Sequence, residues 1–294
     1  MTLYAGPWCG EFGFEIMTWQ ANVRAKSLGH RKVVVACPRM SEALYADFAT
    51  DFWPVPSATH AAENTSGCRR CDGAEKGIIS EFRSQIPSGA EWIQPKIYSP
   101  KGGQFIRYGQ RHRGAEYDVV VHARHMVKGT HGGDLRRSTP QDVWDDIGFT
   151  LHQAGLSVAC IGLKSCSLEI PHSADMRDIP LSTVMDILRS SKVIVGPTSG
   201  PIHLAALCCC PQVVWTDTTH VGNYDRKSNV QKLEQWWNPF GVATRIMHTD
   251  SKESVDNYWI PDVGDVLRHT EEMINGQAGG AVEAHTGGDP LGTG

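Results

Sequence analysis

The sequence predicts an α/β protein made of two Rossmann-like domains whose parallel sheets face each other across a cleft. Short, almost wholly apolar runs rich in β-branched residues recur along it, as in Tyr117–Val121 and Lys192–Val195. Stretches of helical period separate them, which suits right-handed βαβ units and strands buried on both faces. A length of 294 residues fits two domains of ~150 residues each or one large α/β domain, and it excludes a peptide-sized module.

The first half opens with a strand at Leu3–Ala5, a glycine-rich loop, a helix through Glu15–Ser27 and the strand Lys32–Ala36. A helix near Ser41–Phe48, a Pro/Gly/Ser-containing stretch to about Ala74 and a helix near Glu75–Ile86 follow. Gly109–Gly114 (GQRHRG) is polar, basic and bounded by glycine, which makes it the best linker candidate. Beyond it, Tyr117–Val121 reads as a strand and Thr139–Gly155 as a helix opened by Thr-Pro and closed by glycine. The strand Ser157–Gly162, the helix Leu181–Ser191 and the strand Lys192–Val195 continue the alternation. A helix from about Pro201 to Cys209 and strands at Gln212–Trp215 and Thr244–His248 complete it. The expected division is 1–112 for the first domain, 113–275 for the second and 276–294 for a flexible tail rich in glycine and small residues.

Apolar residues make up 40% of the chain before its 30 glycines are added, enough to bury a sizeable core. The 28 basic and 32 acidic residues leave a net charge of −4, so a polyanion partner would need a local basic patch. No run approaches ~18 consecutive apolar residues, so no membrane span is expected. The first 13 residues lack a basic segment followed by an apolar one, which argues against a secretory signal. Nine cysteines, an odd number with Cys208, Cys209 and Cys210 adjacent, read as reduced thiols of a cytoplasmic protein.

In such a fold the loops at the carboxyl ends of the strands carry the chemistry. The strongest motif follows Lys192–Val195: Gly196, Pro197, Thr198, Ser199, Gly200, Pro201, Ile202, His203. Glycines and small hydroxyl residues between a strand and a helix expose backbone N–H groups at a helix N-terminus, a favourable place for phosphate. A plain N-cap with His203 packed in the core competes with that reading.

The segment VGPTSGPIHLAALCCCPQVVW resembles the donor-site segment of the ADP-heptose:lipopolysaccharide heptosyltransferases and related GT-B glycosyltransferases. There a strand leads into an Asp-Ser-Gly-x-x-His helix start, which Ser199, Gly200 and His203 match while Thr198 stands where the family has Asp. The strand YDVVVHARH, the basic pair Arg136 and Arg137, the helix TPQDVWDDIGFTLHQAG and the strand SVACIG follow the family's order, so the resemblance spans residues 117–265. It implies a GT-B enzyme that binds a nucleotide sugar through Thr198, Ser199, Gly200 and His203, with Arg124, Arg136, Arg137 and Lys164 as cations near the diphosphate. For each cation alone, surface solvation is the ordinary reading.

The family's proposed base is the carboxylate of a Gly-Asp pair after the first strand, and Gly10-Glu11 is similar. A base is needed because a hydroxyl attacks well only as it loses its proton. Glu15, four residues on, is the alternative base, and a capping role in the first helical turn is the alternative for either; Gly10, Phe12 and Gly13 would flank the acceptor. The chain has no Asp-x-Asp triplet, so no metal is expected at the diphosphate and no cofactor beyond the nucleotide-sugar co-substrate. Cys68 and Cys71 form only half a zinc site.

The acceptor implied is a glycan or lipopolysaccharide core. Hydroxymethylated DNA is a less favoured acceptor, which would need a groove lined by Arg69, Arg70, Arg107, Arg111 and Arg113. Sugar-nucleotide epimerases and hydrolases share the two-domain plan, and a non-catalytic binding module is a third reading. Asp217, Asn223, Tyr224 and Asp225 after the strand at Gln212–Trp215, and the tryptophans of Trp236–Phe240, are further candidates for the donor pocket.

Overall fold

A computed structural model describes residues 1–55, 73–95, 100–111, 114, 116–125, 137–216, 228–248 and 259–279. Two wholly parallel sheets organise them. In the first, β1 (Thr2–Ala5), β2 (Lys32–Pro38), β3 (Asp51–Val55) and β4 (Glu91–Ile93) lie in the order β3-β2-β1-β4. Between β1 and β2 the chain runs through a single helical turn, α1 (Phe12–Phe14), a π-helical turn (Glu15–Trp19) and α2 (Gln20–Ser27). The region expected to be helical at Ser41–Phe48 is instead a 3₁₀ segment, Arg39–Leu44, and α3 (Gly73–Ser84) follows β3.

The second sheet has the order β10-β9-β8-β5-β6-β7. Its strands are β5 (Val119–Val121), β6 (Val158–Gly162), β7 (Ala174–Arg177), β8 (Val193–Pro197), β9 (Gln212–Thr216) and β10 (Thr244–His248). The helices are α4 (Gln141–Gln153), α5 (Leu181–Ser190), α6 (Gly200–Leu207), α7 (Asn229–Gln235) and α8 (Val263–Gly279). The last helix runs past Gly276, where the tail was expected to begin, and α7 opens with a full capping box between Ser228 and Gln231.

The period of two along each strand explains the layers. Val119 and Val121 of β5 face one way and pack with Trp144, Ile147 and Leu151 of α4 and Val266 of α8. Val120 faces the other way, with Ile187 and Leu188 of α5 and Leu204 and Leu207 of α6. That second layer does not stop at the domain boundary. Leu3, Ile16, Trp19 and Val35 of the first domain belong to the same buried cluster. The far face of the first sheet is closed separately by Ala36, Val55 and Phe82.

The connection between the sheets lies along this seam. Gln104 donates its backbone N–H to Ala21, Tyr108 donates its own to Leu207, and Arg189 donates to the Tyr108 carbonyl. Gly109, at the start of the expected linker, has φ +79°, and a side chain there would run into the Arg189 guanidinium. No described helix is long and apolar enough to cross a membrane.

Candidate functional site

Each sheet has a point where the strand order reverses, and in open parallel sheets ligands bind at the carboxyl ends beside such points. In the second sheet it falls between β5 and β8, paired as Val119↔Val193, Val120↔Ile194 and Val121↔Val195. His122 therefore lies beside the Thr198–Ser199 turn into α6. In the first sheet the reversal falls between β1 and β4, and the loop leaving β1 carries Gly10 and Glu11 into α1.

These two helix starts meet. A Cβ added to Gly200 would fall 2.7 Å from Phe12 Cδ1 and 3.4 Å from the Gly13 nitrogen, and one added to Gly13 would sit 3.8 Å from His203 Cδ2. Glycine at 200 is what lets the backbones come so close. Arg137 spans the junction: Nη1 donates to the Thr198 carbonyl at 3.1 Å, and Nη2 lies 4.0 Å from Glu11 Oε1. Glu11 occupies the N-cap position of α1 with extended backbone, yet its carboxylate makes no capping hydrogen bond. The side chain therefore does not cap α1 through a hydrogen bond.

Glu15 has a different environment. It has no exposed surface and accepts hydrogen bonds from Tyr45 Oη at 2.6 Å and Ser41 Oγ at 2.9 Å. Its carboxylate also helps to push the buried Tyr45 hydroxyl well above the usual tyrosine range, burial being the larger cause.

At the second helix start the Thr198 hydroxyl turns inward to the Trp215 carbonyl, while Ser199 Oγ lies 2.8 Å from His122 Nδ1. His203 is 5% exposed, with its ring 4.5 Å from that of Trp237. Burial, and to a lesser degree Arg137, brings the His203 pKa down to about 3, so the ring is neutral near pH 7. Its Nδ1, and Thr216 Oγ1 at the end of β9, have no hydrogen-bond partner among the described residues.

The remaining cations separate. Arg124 is buried, forms a β-bridge with Ser167 and donates to Ser138 Oγ at 3.3 Å. Lys164 follows β6, on the side of β5 away from β8, and pairs with Asp175 at 3.2 Å. The structure thus brings Glu11, Phe12, Gly13, Arg137, Thr198, Ser199, Gly200 and His203 together, and it leaves Lys164 at the edge of the sheet. Arg136, Cys68, Cys71, Asp217, Asn223, Tyr224 and Asp225 lie outside the described residues. Among the residues that are described, no group of three or more His, Cys, Asp or Glu could hold a metal ion.

Of the five arginines a DNA groove would need, Arg69, Arg70 and Arg113 also lie outside. Arg107 sits over the Phe240 ring, and Arg111 donates to the carbonyls of Ser191 and Lys192. Those two serve the seam between the domains, and they give no support to a nucleic-acid groove. Sequence reasoning gave His122 no role at the site beyond a cluster with His125 and His131 too irregular for a helical metal site, and it did not foresee the packing of Trp237 on His203. The signal for His122 was its place directly after a strand.

The fold is the two-domain GT-B fold of glycosyltransferases, and the chain resembles the heptosyltransferases in particular. ADP-heptose lipopolysaccharide heptosyltransferase II from E. coli superposes with a TM-score of 0.58 at 11% identity, over 94% of this chain and 99% of that one. A family 9 glycosyl transferase from Veillonella parvula gives 0.53 at 8% identity, over 94% and 97% of the two chains. E. coli heptosyltransferase WaaC with ADP gives 0.51 at 10%, over 92% and 99%. Neither a protein-family model nor a curated protein sequence matches the chain.

Proposed function

We propose that this protein is a glycosyltransferase that moves a sugar from a nucleotide-sugar donor to an acceptor hydroxyl, with inversion and without a metal. The observation that supports it is the junction of the two helix starts, with Arg137 reaching from the Thr198 carbonyl to the Glu11 carboxylate. The donor diphosphate lies against the N-terminus of α6, where backbone N–H groups, the Ser199 hydroxyl and the Arg137 guanidinium offer hydrogen bonds and positive charge. Glu11 accepts the acceptor's hydroxyl proton as the oxygen attacks the anomeric carbon. The bond from that carbon to the phosphate oxygen breaks on the opposite face, and its electron pair leaves with the nucleoside diphosphate. Charge develops on the leaving group, and Arg137 with the α6 dipole stabilises it in the role a divalent ion plays elsewhere.

Between the two carboxylates the geometry favours Glu11 as the base, since Glu15 is enclosed and engaged by Tyr45 and Ser41. Because one similar heptosyltransferase binds ADP, ADP-linked sugars are the first donors to test, with glycans as acceptors.

The test is mass spectrometry of products after incubation with pooled nucleotide sugars and either glycan or hydroxymethylated DNA, the latter as control. Glu11→Gln should lower transfer by about 10²- to 10⁴-fold, the usual contribution of a general base, while leaving ADP binding in place. Glu15→Gln should retain transfer in whatever fraction stays folded. Full activity in Glu11→Gln would remove the proposed mechanism.

A further inference from the structure

The Ser199–His122 contact has no role in the transfer chemistry above, and its geometry is specific. His122 is the first residue after β5 and Ser199 the second after β8. Both are at least nine-tenths buried, with Nδ1 and Oγ 2.8 Å apart. Ser199 has the extended backbone of an N-cap, yet its side chain makes no capping hydrogen bond to α6. Among the described residues its hydroxyl bonds to the histidine alone.

A Ser–His pair suggests a nucleophile, but this histidine is a poor base. Burial, with a smaller contribution from Arg124, lowers its pKa to about 3. The ring is therefore neutral near pH 7 and carries one N–H, which leaves two arrangements of the same hydrogen bond. With the proton on Nε2, Nδ1 accepts the serine O–H, and Oγ presents only lone pairs to an incoming ligand. With the proton on Nδ1, the ring donates to Oγ, and the serine hydrogen turns outward. An anionic oxygen is repelled by the first arrangement and bound by the second.

We propose that His122 is a positioning residue for the donor diphosphate: as its Nδ1–H tautomer it orients the Ser199 hydroxyl to donate to a phosphate oxygen. The proposal rests on reading the turn into α6 as the diphosphate site. Arg137 adds weight, since it donates to the carbonyl of Thr198 one residue earlier and so places a cation on the same turn.

Calorimetric titration of the full chain with ADP and with inorganic pyrophosphate tests this. Ser199→Ala and His122→Phe should each weaken binding by about ten- to a hundredfold, as expected for one hydrogen bond to a charged group. The double variant should bind no more weakly than either single one. His122→Asn, whose amide N–H can take the place of Nδ1–H, should stay within about threefold of the parent protein. Nitrogen NMR adds a readout that a structural role would not move: in the pyrophosphate complex the His122 proton resides on Nδ1. Parent-like binding by His122→Phe, or an Nε2–H tautomer in the complex, would overturn the proposal and leave the diphosphate site standing. A parent protein that binds neither ADP nor pyrophosphate would remove that site, and the proposal with it.

Discussion

Two enclosed neutral imidazoles at the start of one helix make stability depend on pH. Burial lowers the pKa of both His122 and His203 from the ordinary 6.5 to about 3, and the nearby arginines Arg124 and Arg137 add to it. The unfolded chain therefore takes up these protons near pH 6.5, while the folded chain resists until about pH 3. Between those limits the unfolded state binds more protons, so stability rises with pH and is lost as pH falls below ~6.5. By pH 5 the loss is about 2 kcal/mol per histidine, since each pH unit inside the window is worth about 1.4 kcal/mol per proton. Urea unfolding between pH 7.5 and 4.5 measures it, and His203→Asn should reduce the slope by about one proton. An unchanged slope in that variant would show that His203 accepts a proton in the folded state. At this scale the site was only half legible in the sequence. Glu11, Ser199 and His203 stand out because each follows a strand or opens a helix, a local relation. That Ser199 bonds His122, 77 positions away, depends on the pairing of β5 with β8, and no spacing along the chain reveals that.

At the scale of elements, the closeness of α1 and α6 makes Gly200 more demanding than Gly13. A Cβ on Gly200 would stand 2.7 Å from the Phe12 ring, whereas one on Gly13 meets nothing nearer than 3.8 Å. Gly200→Ala should therefore cost about 1–3 kcal/mol, the usual price of overpacking, and weaken ADP binding by displacing the helix start. Gly13→Ala should cost little. Adding Phe12→Ala to Gly200→Ala should restore part of the loss in thermal melts; simple additivity would show that the clash is not with that ring. Burial explains why three central strands stand out in the sequence, although the edge strand β10 is read there as well. Val119–Val121, Val193–Val195 and Val213–Trp215 are closed on both faces and read as continuous apolar runs. The edges do not. β3 carries Pro54, which an edge strand tolerates. β7 is the polar ADMR, with Asp175 and Arg177 bonded to each other, a charged edge of the kind that discourages pairing with another chain.

Across the whole molecule, the buried layer shared by both domains limits how independently they can behave. Leu3, Ile16 and Trp19 on one side and Val120, Ile194 and Leu204 on the other form one apolar cluster, so separating the domains would expose it to water. Tyr108 reinforces the seam. Its hydroxyl donates to the Leu44 carbonyl at 2.9 Å in the first domain, and its backbone N–H donates to Leu207 at 2.9 Å in the second. Arg24 bonds that hydroxyl, the Leu44 carbonyl and Asp47, which holds the pivot from a third side. Domains joined by a small polar interface swing freely, but a large apolar one opposes such motion. Glu11 and the Ser199 turn are accordingly held in register before any substrate arrives. The same continuity predicts that the protein melts in one calorimetric transition, with calorimetric and van't Hoff enthalpies in agreement. Tyr108→Phe deletes one buried hydrogen-bonding hydroxyl, worth about 1 kcal/mol. It should lower that single transition by about 2 °C, as expected for a chain of this size, without splitting it. Two resolved transitions, in the parent protein or in Tyr108→Phe, would mean that the seam is too weak to hold the Glu11 carboxylate and the Ser199 turn together, and that the proposed site must be assembled by substrate binding.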